Sequence, residues 1–431
     1  VSFTIPLVLG NLFQLTYNAA DSVIVGKYVG EQALAAVGTS TPIMNIAILL
    51  ISGMCMGASV LMSSQYGAKD YDTLSRQIST TMLAGCGFSV VFSLLMLLLA
   101  NPVLRLIRVP ETAIPEAAAY LRIIFMGLIF TFMYNFLANT MRALGDSKTP
   151  LYFLVTSAFL NIFGDLFFVV VLRWGVAGSA IATVCSEGLC CLLCGIYIKK
   201  KIPLLCLGKK WWVFDKSLLG KTVSYGSTSA MQQVCLQLGK LIIQSVVNTQ
   251  GVAVMAAFTA VNRVDDFAYT PQQNIGHAMT TFLAQNKGAG HKERMKKGFQ
   301  TGLLIELVYS IGLFCVIWGL APQIMTLFAE DGDAQVVSLG ISYLHLISWM
   351  YILPGLTNGV QGFFRGIGDL KVTLYSTFMN MFGRVVAVFV MIRLLQMEFA
   401  SLAWANMVGW IVMLLFEVPL LVKSMRNGEC G

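Results

Sequence analysis

Arg142-Ala143-Leu144-Gly145-Asp146-Ser147-Lys148-Thr149-Pro150 leads into an apolar stretch carrying Asn161 and Asp165. The loop returns 223 positions later as Arg365-Gly366-Ile367-Gly368-Asp369-Leu370-Lys371. Asn161-Ile162-Phe163-Gly164 is then echoed by Asn380-Met381-Phe382-Gly383. A repeat of about half the chain implies two similar lobes. On this echo Asp165 stands opposite Arg384, so one lobe keeps a carboxylate that the other lacks. In each loop the Gly allows a tight turn and the Asp can cap the next helix. These loops therefore read as the structural joints about which each bundle moves.

The chain has 431 residues, 57% of them hydrophobic and 12% charged. Soluble domains carry about 25% charged residues. With a mean hydropathy of +0.74, the chain reads as a polytopic membrane protein. Its excess of Lys and Arg is then a sign of orientation rather than a nucleic-acid footprint. Ten cysteines lie mostly inside apolar runs, as at Cys190, Cys191 and Cys194, and read as free thiols packed as small hydrophobes. The chain opens at Val1 inside an apolar run, and a short preceding piece is expected.

A spanning helix needs about 20 mostly apolar residues. That rule places twelve spans: 2–25, 32–63, 74–101, 113–141, 150–172 and 176–198, then 218–248, 252–284, 298–320, 335–364, 371–394 and 400–423. The domain reading is an N-terminal lobe at 1–200, a linker at 201–216 and a C-terminal lobe at 217–431. The even-numbered loops and both termini share one face, which holds twenty Lys and Arg side chains against five on the other. That bias places both termini in the cytoplasm. Six spans per repeat means that both lobes enter from the same side, related by an axis along the membrane normal. Two six-helix bundles flanking a central cleft are expected.

Ionisable groups within spans are costly and are functional candidates. Asp21, in Tyr17-Asn18-Ala19-Ala20-Asp21, lies late in the first span, and Asp165 lies past the middle of the fifth. Asn161 and Asp165 are four apart and share a helix face. Thr183 lies at comparable depth in the sixth span. Where spans one, five and six meet, these residues form one polar pocket. Two neighbouring carboxylates titrate as a coupled pair. Such a pair can move a proton, or bind Na⁺ through carboxylate, amide and hydroxyl oxygens; the plainer alternative is a polar knot that holds the bundle. Glu187, one turn from Thr183, joins the pocket or pairs with a basic group. Lys240 or Arg263 is expected to pair with Asp265 or Asp266. Glu306 and Glu417 have no evident partner in the sequence, and snorkelling, protonation and a place in the cleft all stay open for them. His277 and His345 are isolated, and no resident metal or cofactor is expected.

Taken together, the Tyr-Asn-x-x-Asp run with Val25-Gly26, Gly30 through Val37, Gln65-Tyr66-Gly67-Ala68, both Arg-x-x-Gly-Asp loops and Gln285 through Ala289 resemble the multidrug and toxic compound extrusion (MATE) transporters. The resemblance covers essentially the whole chain. It implies an all-α fold of 12 transmembrane helices in two pseudo-symmetric six-helix bundles, and export coupled to H⁺ or Na⁺. The likeness is nearer to the DinF-like branch, in which the N-terminal lobe carries the coupling site. The matching positions are Asp21, Asn161, Asp165 and Thr183, with Tyr17 beside them; Tyr120 and Asn135 also match. With Glu187 these last two are candidates for the cleft. The NorM-like branch also uses acidic residues in spans seven and ten. Here span seven has Gln232 and Gln233, and span ten has Pro354, Thr357, Asn358 and Gln361, which argues against a second cation site in the C-terminal lobe.

The leading reading is thus an antiporter in the cell inner membrane that exports amphipathic or cationic small molecules. The lipid bilayer is its surroundings, nucleic acid is not a partner, and a single chain is sufficient. A flippase for a lipid-linked or polyprenyl-type substrate is the alternative. A membrane-embedded enzyme is disfavoured, since no His-Glu-x-x-His, Gly-x-Ser-x-Gly or Gly-x-x-x-x-Gly-Lys-Ser/Thr run is present. A passive channel fits two unlike lobes less well.

Overall fold

The computed structural model describes residues 2–29, 31–106, 109, 111, 113–202, 212–328, 334–395, 399 and 401–426. For some residues inside helices, Tyr17 and Asp21 among them, it describes the backbone alone. Long apolar runs interrupted by short polar turns give helices throughout. In the first half these are α1 (Thr4–Tyr28), α2 (Glu31–Gly67), α3 (Tyr71–Leu106), α4 (Ile114–Met126), α5 (Leu128–Ala143), α6 (Lys148–Asp165) and α7 (Gly175–Lys201). In the second they are α8 (Lys216–Val247), α9 (Val252–Gly288), α10 (Lys292–Phe328), α11 (Ala334–Ser348), α12 (Ile352–Ile367), α13 (Leu370–Val388) and α14 (Ser401–Arg426). α4 and α5 are the two halves of one rod, bent by 46° at Gly127. Their counterparts α11 and α12 run on through a 3₁₀ turn at Trp349–Tyr351. Counted as rods, these are the twelve expected spans.

Among the described residues eight helices are long and apolar enough to cross a membrane, nine if the bent pair is one span. α8 and α9 are outside that set because polar residues dilute their apolar runs: Gln232, Gln233, Gln237 and Lys240 in α8, and Arg263, Asp265, Asp266, Gln272, Gln273 and Asn274 in α9. α3 shows what surrounds the protein. Only 17% of its most apolar window is buried, and Val91, Leu94 and Leu98 point outward. An outward apolar face of this length is matched by lipid.

The helix ends follow from local chemistry. Gly145 and Gly368 have φ of +92° and +86°, the left-handed turn that closes each repeated loop. Asp146 Oδ1 then accepts from the Lys148 and Thr149 amides at 3.1 and 3.0 Å, capping α6. Asp215 Oδ1 caps α8 in the same way, through Ser217 and Leu218.

Two compact units result, Val1–Ala230 (unit 1) and Met231–Gly431 (unit 2). The sequence placed the division earlier, with a linker at 201–216, most of which lies outside the described residues. The division falls inside α8 because the first half of that helix packs in unit 1. Gly57 of α2 lets the backbones of Tyr225 and Gly226 come into contact, and Gln77 Nε2 donates to Thr222 Oγ1 at 2.5 Å. Arg76 pairs with Asp215 at 2.6 Å, and Ser79 and Thr80 hold Val213 and Asp215 to α3.

The repeat is visible in the backbone. Each of α6 and α13 runs into a six-residue π-helical segment, Leu166–Val171 and Phe389–Leu394. These segments keep the 223-residue offset of the loops. They correct the echo read from sequence, which is one helical turn out of register. In the fold Asp165 stands opposite Val388, and Arg384 stands opposite Asn161.

Candidate functional site

In unit 1 the site begins where α6 meets α7. Gly164 lets α6 sit against Ala182, where a Cβ would lie 3.0 Å from the alanine methyl. That approach brings Asn161 Nδ2 within 3.1 Å of Thr183 Oγ1, to which it donates. The Asn161 carbonyl oxygen is buried and has no hydrogen-bond partner among the described residues. One turn along α7, Glu187 Oε2 accepts from Thr131 Oγ1 at 2.5 Å. Thr131 owes its place to the bend at Gly127. A Cβ there would sit 2.4 Å from Val184, so only glycine lets the start of α5 lie on α7.

These groups wall a cavity of about 270 Å³. Its polar lining is Gln14, Thr41, Asn45, Tyr120, Thr131, Asn161, Thr183 and Glu187; Val37, Met44, Ile48, Ile124 and Leu128 supply apolar wall. Among the described residues Glu187 is the one carboxylate in that lining. Oxygens of Asn161, Thr183 and Glu187 are available to a cation. No group of three or more His, Cys, Asp or Glu suited to a metal occurs among the described residues.

Of the residues singled out in the sequence, Tyr120, Asn161, Thr183 and Glu187 thus come together. Asp165 is fully buried one turn beyond Asn161, at the end of α6, and is not part of the cavity wall. Asn135 is not in the wall either; it donates to the Thr131 carbonyl at 2.9 Å. Tyr17 and Asp21 are on α1, and their side chains lie outside the described residues. Gln14, Thr41, Asn45 and Thr131 were missed. Gln14 is seven before Asp21, on the same face of α1, and Thr41 and Asn45 are four apart on α2. That spacing was readable, but a search for ionisable groups passes over neutral ones.

At the offset fixed by the π segments, unit 2 carries Tyr343, Arg384, Asn406 and Trp410 where unit 1 has Tyr120, Asn161, Thr183 and Glu187. Tyr343 and Asn406 are buried and bonded, with Asn406 Nδ2 donating to the Tyr343 hydroxyl at 2.8 Å. That hydroxyl and the one of Tyr351 donate to Asp265, at 3.1 and 2.5 Å. Arg384 supplies the positive charge facing Asp265. Trp410 packs edge-on against Tyr269. The expected ion pair of the neighbouring acid is Lys240 with Asp266, at 3.3 Å and half exposed. Glu306 and Glu417 do not snorkel; both are 0% exposed.

The comparisons with known proteins agree with this geometry. The sequence model of the MatE family matches residues 6–167 and again 229–390, the second match starting 223 residues after the first. The chain is 32% identical over 377 residues to the probable multidrug resistance protein YpnP of Bacillus subtilis (strain 168), covering 87% of this chain and 83% of that protein. It is 29% identical over 389 residues to the probable multidrug resistance protein YoeA of the same organism, covering 88% and 82%. Among solved structures, a MOP superfamily transporter from Pyrococcus furiosus superposes with a TM-score of 0.91 at 21% identity, over 98% of this chain and 95% of that one. A duplicated helical plan, matched by the family in both halves, is thus common to sequence, fold and relatives: the chain belongs to the MatE family of transporters.

Proposed function

We propose that this protein is a secondary antiporter that exports amphipathic or cationic small molecules in exchange for H⁺ or Na⁺ by alternating access. The observation that carries this reading is the unit 1 cavity, with Asn161 and Thr183 joined on one wall and Glu187 held by Thr131 one turn away. Asp165 and Asp21 complete the coupling group in this reading. Asp165 is buried one turn from Asn161, and Asp21 is seven residues from Gln14 of the wall. A cation entering at Asn161, Asp165, Thr183 and Asp21 neutralises the carboxylates there; a cationic substrate drawn to Glu187 competes for the same negative charge. That competition is what couples the two in opposite directions. The printed names of the bacillar relatives support drug export, and the face with twenty Lys and Arg supports cytoplasmic termini in the cell membrane.

The test is transport in proteoliposomes. A pH gradient and a Na⁺ gradient are imposed separately, and efflux of a fluorescent organic cation is followed for wild type, Asp21→Asn and Asp165→Asn. The reading expects one gradient to drive efflux and both substitutions to abolish it. Folded variants that still transport under the gradient make the unit 1 group structural. If neither gradient moves the dye, flipping of a lipid-linked saccharide becomes the reading to pursue.

A further inference from the structure

Glu306, near the middle of α10, plays no part in the unit 1 cavity. It is 0% exposed, and neither carboxylate oxygen has a hydrogen-bond partner among the described residues. No described Lys, Arg or His faces it. Its titratable neighbours are tyrosines: Tyr309 on its own helix, whose hydroxyl donates to the Ala268 carbonyl, and Tyr351 before α12, whose hydroxyl donates to Asp265.

What surrounds Glu306 is built from three helices of unit 2. Gly355 of α12 leaves a gap. A Cβ there would lie 2.8 Å from Ser310 Oγ, 3.2 Å from Gln272 Nε2 and 3.4 Å from Glu306 Oε2. Side chains of α9 and α10 therefore converge on one glycine. Gln272 Nε2 donates to Ser310 Oγ at 3.1 Å and to the Tyr351 carbonyl at 2.8 Å. Gln272 is itself 0% exposed, and its Oε1 is left without a partner. The Glu306 carboxylate, the Ser310 hydroxyl, the Tyr351 carbonyl and the Gln272 side-chain amide thus come together beside Gly355 in an apolar bundle. The place lies about 21 Å along α10 from Lys292, at the depth where transporter ion sites are found.

A carboxylate without a donor or a cation is costly to keep ionised in such surroundings. It is retained in a membrane where it carries something. We propose that Glu306, with Gln272, Ser310 and the Tyr351 carbonyl, forms a site in unit 2 that binds one exchangeable monovalent cation, a proton or Na⁺. The sequence argued against a cation site in this lobe because spans seven and ten lack carboxylates; the ninth supplies one. The proposal does not rest on the reading of unit 1.

The experiment is infrared difference spectroscopy of the full chain in lipid nanodiscs, on wild type and Glu306→Gln. First the pH is stepped without Na⁺; then Na⁺ is added at fixed pH. Wild type is expected to lose a protonated-carboxyl band in one of the two titrations, and Glu306→Gln to lack that band. Loss on raising the pH makes Glu306 a proton site, and loss only on adding Na⁺ makes it a Na⁺ site; either upholds the proposal. Identical spectra for the two proteins throughout mean a permanently neutral buried acid and overturn it. Gly355→Ala supplies a second test should Glu306→Gln not fold. Its methyl crowds the oxygens and is expected to shift the titration midpoint by about tenfold in cation concentration; an unmoved midpoint also overturns the proposal.

Discussion

The cavity of unit 1 and the matching place in unit 2 are one scaffold used in two ways. In unit 1 Asn161, Thr183 and Glu187 leave oxygens facing an open space. In unit 2 the same positions hold Arg384, Asn406 and Trp410, and Asp265 reaches in from α9 to close a network with Tyr343 and Tyr351. The guanidinium of Arg384 is a cation that cannot leave. The difference teaches that one scaffold can leave its polar positions open to a cavity in one unit and, in the other, occupy them with a guanidinium and an aromatic ring.

The comparison is broken most severely by Arg384→Asn, which copies unit 1 into unit 2. It leaves Asp265 buried without the charge that faces it. A lower Tm of the purified protein is expected, and Asp265→Asn on top should recover much of the loss. Next is Gly127→Ala. The added methyl meets Val184, and overpacking of this kind costs about 1–3 kcal/mol. Efflux should fall as α5 moves off α7, and Val184→Ala should restore it. No such effect is expected for Met350→Ala beyond lost packing, since the unit 2 rod runs on there as one span through a 3₁₀ turn.

Smaller effects sharpen the picture. Thr183→Ala removes the partner of Asn161 and should lower stability by about 1 kcal/mol, while Thr183→Ser keeps the hydroxyl and should behave as wild type in the same unfolding assay. The two repeated loops should also answer differently. Asp146→Ala loses a helix cap worth about 1 kcal/mol, whereas Asp369 makes no side-chain cap and Asp369→Ala should change Tm little. The smallest effect concerns the turn between α2 and α3. A hydrogen bond from Thr73 holds the Asp70 carboxyl below its ordinary value of 3.8. Its contribution is therefore complete above that value and is lost as pH falls through the lowered one. An acid unfolding series should show this for wild type and not for Asp70→Asn.

Much of the fold was legible because lipid imposes long apolar runs and positive charge marks the loops between them. The twelve spans, the repeated loops and the helix-capping role of Asp146 follow from that. Register was not legible. Asn161-Ile162-Phe163-Gly164 and Asn380-Met381-Phe382-Gly383 look alike, yet one helical turn separates them in the fold. A four-residue slip keeps the same helix face and so leaves no trace in the pattern. Part of the site was legible too: Asn161, Thr183, Tyr120 and Glu187 surround one cavity. Thr131, Thr41 and Asn45 were passed over, because a neutral side chain in an apolar helix is inexpensive and does not stand out. The surroundings of Glu306 were invisible for another reason: its neighbours come from three helices, and one of them contributes only the absence of a side chain.

The π-helical segments after α6 and α13 have a further meaning. A π turn closes i→i+5 hydrogen bonds, so it holds more residues than an α turn and the helix bulges there, frequently at a functional site. Both halves carry the bulge at the same place and with the same length. The matching bulges mark the two halves as copies of one plan down to a local irregularity of the backbone, and the exchange of Asn161 for Arg384 just before them sets the copies apart.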